Sequence, residues 1–436
     1  MKSYQINPLK KSAVLGATLA TLGFKNTIPV HHGSQGCTAF IKNIMTQHFR
    51  EIIPMQTTAI YNIALVLGDY NELVKGLSNV IEKNRPEVIG LITTGIPQVR
   101  GDDLTYMVKE FYRKYPTIKT EIIPIAVSDF NGDAETGFSD AICAFMDRID
   151  FYKSSDDKDL LILTNFSMTC GDIDEIRYIV ESFGLNPVFF PDISESLGGS
   201  FNHYYKITPG GLEYKTRLKK PLFAIGIGKS TEKGLNLLKD KGVEIKLFPS
   251  LLGLKETDDF IDFLSKCSNK TPPKSIIKIR GQLIDTMLDS HFYFNNKKIA
   301  LAVEPDLAKG LYGFLYEELG IEISALTTTY IRDDLKEIDV VKSGDLFELE
   351  QYMKNTDLLM TNSNGTLLSD KYCIPLVRIG FPVKDEIGYP LKVFSGYKGS
   401  LRLLTEIANI FLHHEEEKSY QYKKFKGVKY YENRVL

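Results

Sequence analysis

Short apolar runs of β type alternate with segments of helical periodicity along most of this 436-residue chain. The first set of runs is 27–30, 88–93 and 121–127, with helical stretches such as 71–83 and 102–114 between them. A charged break at 153–159 follows. The second set is 160–165, 187–190, 222–227 and 243–248, and a polar break at 267–274 ends it. The third set is 298–303, 321–328, 357–362 and 374–379. Strands alternating with helices predict parallel sheets covered on both faces, because parallel neighbours need a crossover that packs back on the sheet. The two breaks divide the chain into three α/β units, 1–152, 153–272 and 273–414, with a charged, tyrosine-rich C-terminal tail at 415–436. In such sheets ligands collect at the carboxyl ends of the strands.

Composition narrows the partners. A formal net charge of −2 leaves no electrostatic footprint for nucleic acid. No apolar run approaches the ~20 residues of a membrane span, and the segment from Met1 to Pro8 lacks the apolar core of a signal peptide. The five cysteines, Cys37, Cys143, Cys170, Cys267 and Cys373, are odd in number and scattered, and no CxxC occurs. A disulfide framework is therefore not expected, and a cytoplasmic location is.

One thiol stands out. In His31-His32-Gly33-Ser34-Gln35-Gly36-Cys37-Thr38-Ala39-Phe40 an apolar run stops at a Gly-x-x-Gly loop, the cysteine follows, and a helical stretch begins. A sulfur at a helix N-terminus is favoured as thiolate by the dipole, and a thiolate can ligate a metal. One thiolate cannot hold a metal cluster alone, so a ligand role for Cys37 requires donors from another chain. The residues alone leave that role open. A zinc site with His31 and His32 would need two more ligands at short spacing, and none is nearby; both read as loop histidines, one bonded to backbone. Cys143 lies on an apolar helical face and reads as a buried structural thiol, whereas Cys170 sits in a turn. Gly226-Ile227-Gly228-Lys229-Ser230 is not a P-loop, because Phe223 stands where its first glycine belongs, and Thr231 replaces the third glycine of a dinucleotide loop. It reads as a strand-to-helix turn. Arg100-Gly101-Asp102-Asp103 is explained by a helix N-cap at either aspartate, or by shaping a strand end near Cys37. The polar run 194–200 reads as a loop, and His413-His414-Glu415-Glu416-Glu417 as a solvated helix end. No catalytic triad is discernible.

Several segments taken together carry a resemblance: Asn7-Pro8-Leu9-Lys10, the Cys37 segment, His48-Phe49-Arg50-Glu51, Thr57-Thr58-Ala59 and Arg100-Gly101-Asp102-Asp103. It continues through Arg280-Gly281-Gln282-Leu283-Ile284-Asp285, Asp289-Ser290-His291, Glu304-Pro305-Asp306-Leu307, Arg378-Ile379-Gly380-Phe381-Pro382 and Ser395-Gly396-Tyr397-Lys398-Gly399. In order and spread these resemble the NifN family, β-like subunits of the NifEN scaffold, within the nitrogenase component 1 type oxidoreductases. The resemblance implies three Rossmann-like domains and a scaffold for maturing the nitrogenase iron–molybdenum cofactor. It also implies a NifE-like α subunit as partner in an α2β2 heterotetramer. The nitrogenase iron protein would be a transient partner and a NifB-type protein the precursor donor. A [4Fe–4S] cluster shared with the α-like subunit would take its one β-side ligand from Cys37, with Gly33, Gly36 and Gly95 in loops packing near it. The precursor would rest mainly in the partner, so no catalytic residue is expected here.

The departures from the catalytic β subunits of the same family are as telling. Where those supply further ligands, this chain has Thr57 or Thr58, Gly95, and the loop Asn131-Gly132-Asp133. Threonine and glycine do not replace a soft thiolate on iron. The alternatives within the resemblance are a subunit of a nitrogenase-like reductase acting on a tetrapyrrole or another substrate, and a subunit of the vanadium-type cofactor scaffold.

Overall fold

The computed structural model describes residues 9–60, 70–127, 132–153, 158–199 and 206–431, with side chains described to His413 except that of Tyr70. The segment Met1 to Pro8, Asn131, most of the charged break at 153–159 and Ser200 lie outside the described residues.

The alternating runs become three parallel sheets. The first holds β1 (Thr27–His32), β2 (Gln56–Thr57), β3 (Val88–Thr93) and β4 (Glu121–Ile125), in the order β2-β1-β3-β4. The second holds β5 (Asp159–Leu163), β6 (Asn186–Phe190), β7 (Phe223–Ile227) and β8 (Ile245–Phe248), in the order β8-β7-β5-β6. The third holds β9 (Lys298–Ala302), β10 (Glu322–Thr328), β11 (Val341–Ser343), β12 (Leu358–Thr361) and β13 (Leu376–Arg378), in the order β11-β10-β9-β12-β13. Every strand pairing among the described residues is parallel. β1 and β3 are buried along their whole length, as a sheet covered on both faces requires. Each order has a point where the chain reverses direction across the sheet: β1/β3, β5/β7 and β9/β12. Crevices for ligands form outside the strand ends at such points.

Three readings of the sequence need correction. β1 does not stop at Val30 but runs on through both histidines, which are strand residues and not loop residues. The break at 267–274 is a turn between two helices: Asn269 closes Leu254–Ser268 in the left-handed region at φ 53°, and Pro273 starts the next helix. The C-terminal segment is no separate tail, since one helix runs from Gly396 to Tyr431.

The units interlock through helices. α1 (Ala13–Thr21) is buried at every position, capped by Ser12. α2 (Gln35–Phe49) follows β1, and α3 (Ala134–Asp147) packs across α1. Their crossing is set by two glycines. A methyl on Gly16 would lie 1.7 Å from the Ala134 carbonyl oxygen, and one on Gly137 would lie 1.9 Å from that of Ala13. One apolar core continues through all three sheets, with smaller clusters flanking the first and third.

Candidate functional site

The first reversal point gathers the residues the sequence singled out. Leaving β1, the chain makes Gly33 and Ser34 and enters α2, so Cys37 lies in the first turn of a helix. Helix phase decides which way it points. Thr38, Ile41, Met45, His48 and Phe49 are buried, so Cys37 and Phe40, one turn apart, face outward. The Ser34 hydroxyl reaches the Cys37 Sγ at 3.4 Å.

Hydroxyl groups hold the loop in place. Thr57 Oγ1 donates to the Gly33 carbonyl at 3.1 Å, and Thr94 Oγ1 donates to the His32 carbonyl at 2.9 Å. Gly33 N–H donates to Thr58 Oγ1 at 3.3 Å. Gly33 has no room for a side chain, because a methyl would sit 1.9 Å from Thr94 Oγ1. Gly36 and Gly95 differ: a methyl on either would meet nothing within 4 Å. Gly95 begins the short helix Gly95–Arg100, which follows β3 and presents Ile96 and Val99 to solvent. With Phe40 (67% exposed) and Val99 (72% exposed), the rim around Cys37 is apolar and uncovered.

Both histidines are buried beneath this rim as neutral rings. Thr18 Oγ1 donates its proton to the Val14 carbonyl at 2.6 Å, so it accepts from His31 Nε2 at 2.8 Å. His31 Nδ1 then accepts from Thr38 Oγ1 at 3.1 Å, which ties the strand to the first turn of α2. Burial pushes the His31 pKa down to about 4. His32 Nε2 bonds Asp102 at 3.0 Å and its Nδ1 meets Thr58 Oγ1 at 3.2 Å. Burial lowers its pKa as well, against the pull of Asp102. The bonds run to side chains, not to backbone as the sequence suggested. Asp103 is the N-cap of Leu104–Lys114, while Asp102 shapes the strand end and also binds Arg100, so each aspartate of that motif has its own task. At the far end of α2, His48 Nδ1 accepts from the Val383 N–H at 2.9 Å, and burial pushes its pKa down to about 3.

The second and third reversal points face each other and are filled. The Gly228 loop is closed by Asp306: Ser230 N–H donates to Asp306 Oδ1 at 3.2 Å, and the Ser230 hydroxyl binds its other oxygen. A carboxylate occupies the place a phosphate would need, in keeping with the reading as a turn. Arg332 lies 2.7 Å from both Glu135 Oε1 and Asp306 Oδ1. Burial and mutual repulsion raise the pKa of Glu135 well above the carboxylate range, and burial raises that of Asp306. Glu304 is buried beside them, with Oε1 accepting from Phe381 N–H at 3.1 Å and Oε2 without a partner. Burial lifts its pKa to about 7. What space remains is a cavity of ≈ 50 Å³ bordered by Asn165, Ser167, Asp306 and Tyr389. Its ion pairs join residues up to 197 positions apart, and no sequence motif announces the cluster.

Other candidates resolve into structure. Asp133 caps α3 with Thr136 and binds Thr329. Cys143 and Cys170 are buried thiols, the first pushed up to about 11 and the second higher, both by burial. Cys267 is half-buried and Cys373 exposed. Ser194 binds Asp192, itself paired with Arg177. His413 is on the C-terminal helix, and the side chains at 414–417 lie outside the described residues. Among the described residues, no three or more His, Cys, Asp or Glu side chains are grouped to hold a metal ion, and no helix is long and apolar enough to cross a membrane.

Comparison with known proteins places this architecture. The nitrogenase iron–molybdenum cofactor biosynthesis protein NifN of Rippkaea orientalis is 36% identical over 447 residues, covering 96% of this chain and 96% of that protein. The NifN protein of a Nostoc species is 37% identical over 422 residues, covering 95% of each. A solved nitrogenase Cp1 chain superposes with a TM-score of 0.89 at 29% identity, over 96% of this chain and 95% of that one. The nitrogenase component 1 type oxidoreductase model matches residues 12–412. Three parallel sheets, whole-length relatives and this match agree: the chain belongs to the nitrogenase component 1 type oxidoreductase family and, within it, to the NifN proteins.

Proposed function

We propose that this chain is the β-like half of a scaffold on which the nitrogenase iron–molybdenum cofactor precursor is matured, and that Cys37 gives one thiolate to a [4Fe–4S] cluster completed by a NifE-like α subunit. The observation that carries the reading is the isolation of Cys37. It is exposed at a strand-end crevice, while the neighbouring loops offer Thr57, Thr58 and Gly95 and no second thiol. Such a donor set fits one quarter of a cluster site and not a site of its own. The open space over Gly36 and Gly95 and the apolar rim of Phe40, Ile96 and Val99 suit a covering partner. The names carried by its relatives support the same assignment.

When bound, the cluster supplies one-electron redox chemistry. The chain's own residues position and protect it. The His31–Thr38 bond fixes the first turn of α2 and so the sulfur. Thr57, Thr58 and Thr94 lock the loop that leads into it. Phe40, Ile96 and Val99 exclude water once covered. Gly33 lets the loops pack closely, and Gly36 and Gly95 leave room above. In this reading the three units divide near residues 153 and 273 and work in the cytoplasm, with two αβ pairs forming the heterotetramer. The precursor arrives from a NifB-type donor and rests mainly on the α-like side, and the nitrogenase iron protein docks transiently.

The test is anaerobic co-expression with the α-like partner, followed by iron analysis and electron paramagnetic resonance. Cys37→Ala is expected to remove or reshape the [4Fe–4S] signal while the two chains still co-purify. An unchanged iron content and spectrum would remove Cys37 from the ligand set.

A further inference from the structure

Ser34 occupies the N-cap of α2 but does not act as a cap. A serine at this position ordinarily turns its oxygen inward, to accept from the N–H of the second or third helical residue. Ser12 does so for α1, accepting from Val14 N–H at 3.1 Å, and Asp103, Asp133 and Thr169 cap their helices in the same way. Ser34 has the extended backbone such a cap needs, with φ −76° and ψ 156°, yet its side chain takes no bond from the first turn. The hydroxyl lies instead 3.4 Å from Cys37 Sγ. Cys37 is the third residue of the helix. The hydroxyl has therefore exchanged the amide of that residue for its sulfur.

Both ends of this contact are held. Gly33, just before the serine, is locked by Thr57, Thr58 and Thr94. Thr38, just after the cysteine, is bonded to the buried ring of His31. Little further entropy is lost when the hydroxyl and the sulfur meet, because the backbone on either side is already fixed. Direction follows from the groups available. A thiolate on iron carries no proton, so the hydroxyl donates and the sulfur accepts. Ser34 is half-buried and Cys37 exposed in this chain. A partner that covers the apolar rim takes both out of water, where a hydrogen bond to a charged sulfur is stronger than in solvent. An electron added to an iron–sulfur cluster places more negative charge on its sulfurs. A donor aimed at one of them therefore favours the reduced form, which is how hydrogen bonds set cluster potentials.

We propose that Ser34 is a positioning residue for the interface cluster: its hydroxyl donates to Cys37 Sγ, orients that thiolate and holds the cluster at a higher reduction potential than an unbonded thiolate would. This inference rests on the reading of Cys37 as a ligand and deepens it.

The experiment is a redox titration of the complex co-expressed anaerobically with the α-like partner. Dithionite supplies one electron to each cluster, and electron paramagnetic resonance follows the reduced form. Ser34→Ala is expected to keep the wild-type iron content and to lower the reduced-to-oxidised ratio at a given potential about tenfold, a midpoint about 59 mV more negative. Ser34→Thr keeps a hydroxyl at the same place and should return the midpoint to the wild-type value. Electron–nuclear double resonance before and after exchange into deuterium oxide reads the bond itself: Ser34→Ala should lose one exchangeable proton coupling, and Ser34→Thr should keep it. An unchanged midpoint in Ser34→Ala would overturn the proposal. So would a shifted midpoint with every exchangeable coupling retained, or a Ser34→Thr variant that stays at the alanine value. Loss of iron from Ser34→Ala would overturn it too, by making Ser34 a residue that retains the cluster and does not tune it. The two readings fail separately. A wild-type complex without iron, or a Cys37→Ala complex with an unchanged spectrum, would defeat the ligand assignment and this inference with it. A spectrum that depends on Cys37, with a midpoint indifferent to Ser34, would defeat this inference alone.

Discussion

The strand-end crevices of this protein are built on the same topological rule and have opposite fates. The crevice outside β1 and β3 is left open: Gly36 and Gly95 have empty space above them, and the rim is exposed and apolar. The crevices outside β5/β7 and β9/β12 close on each other: Gly228 and Ser230 meet the Asp306 carboxylate, and charged groups of the first and third units are packed inside. The contrast shows that a reversal in strand order provides a place for a ligand but does not make a site. What the loops put there decides. At the closed junction the chain supplies its own counter-ions and becomes one body. At the open edge it presents one exposed thiol under uncovered space.

Removing the internal counter-ion should have the largest effect. Arg332 lies between Glu135 and Asp306, both buried, and also binds Asp334. Arg332→Met would leave two carboxylates facing each other without a cation. Breaking one side of a buried ion network costs about 3–5 kcal/mol, to be read from the denaturant midpoint. Adding Glu135→Gln and Asp306→Asn should recover much of that loss, because neutral groups of the same shape no longer repel. Cys37→Ala, measured on the isolated chain, should change the stability by less than about 0.5 kcal/mol. If both sites proved equally costly, the distinction between a closed and an open crevice would fail.

The open edge is far more legible in the sequence than the closed junction, for a physical reason. Gly33, Gly36, Cys37 and Thr38 are neighbours along the chain, so the loop, the helix start and the thiol can be read from local patterns. The same locality exposes β3 and β4 as apolar runs. β2 and β11 leave no such trace, because Gln56–Thr57 and Val341–Ser343 carry no apolar run; their ladders are set by neighbours in space. The sequence reading cuts β1 short because histidine does not look like strand core, yet Thr18 and Thr38 satisfy the ring of His31, and Thr58 and Asp102 that of His32. At the junction Glu135 and Arg332 are 197 residues apart, and only the folded chain brings them together. The charge of the C-terminal segment suggests a tail, but charge describes the surface of a helix and not its backbone.

Glycine substitution tests the same contrast on a smaller scale. Gly228 has φ of 87°, and a methyl there would lie 2.3 Å from Asp306 Oδ2. Gly228→Ala should therefore lose about 2–3 kcal/mol, through backbone strain and displacement of a buried carboxylate. Gly36→Ala falls within a helix with open space above it, so the isolated chain should be unchanged or gain up to about 1 kcal/mol. The same Gly36→Ala should weaken co-purification with the α-like partner if that partner covers the space. A Gly36 variant as damaging as the Gly228 variant would mean that the edge is closed within this chain.

The response to pH separates the regions by sign. His31 near the open edge, and His48 at the far end of α2 against Phe381, have pKa values pushed down by burial to about 4 and about 3, against 6.5 when unfolded. The unfolded chain binds protons first, so their contribution is complete above pH 6.5 and is lost as pH falls toward 4. At the junction Glu304 is raised by burial from 4.5 to about 7. There the folded chain holds the proton, so stability is complete below pH 4.5 and is lost as pH rises through 7. Each linked group contributes a slope of about 1.4 kcal/mol per pH unit inside its window. Hydrogen exchange, corrected for intrinsic rates, should show the amides of α2 loosening as pH falls from 6.5 to 5. The amides at Ser230 and Phe381 should loosen as pH rises from 5 to 7. Glu304→Gln keeps the acceptor for Phe381 N–H but cannot ionise, so it should flatten the second trend and leave the first intact. Two regions moving together, or a Glu304→Gln variant that flattened both, would show that the edge and the junction share one electrostatic response.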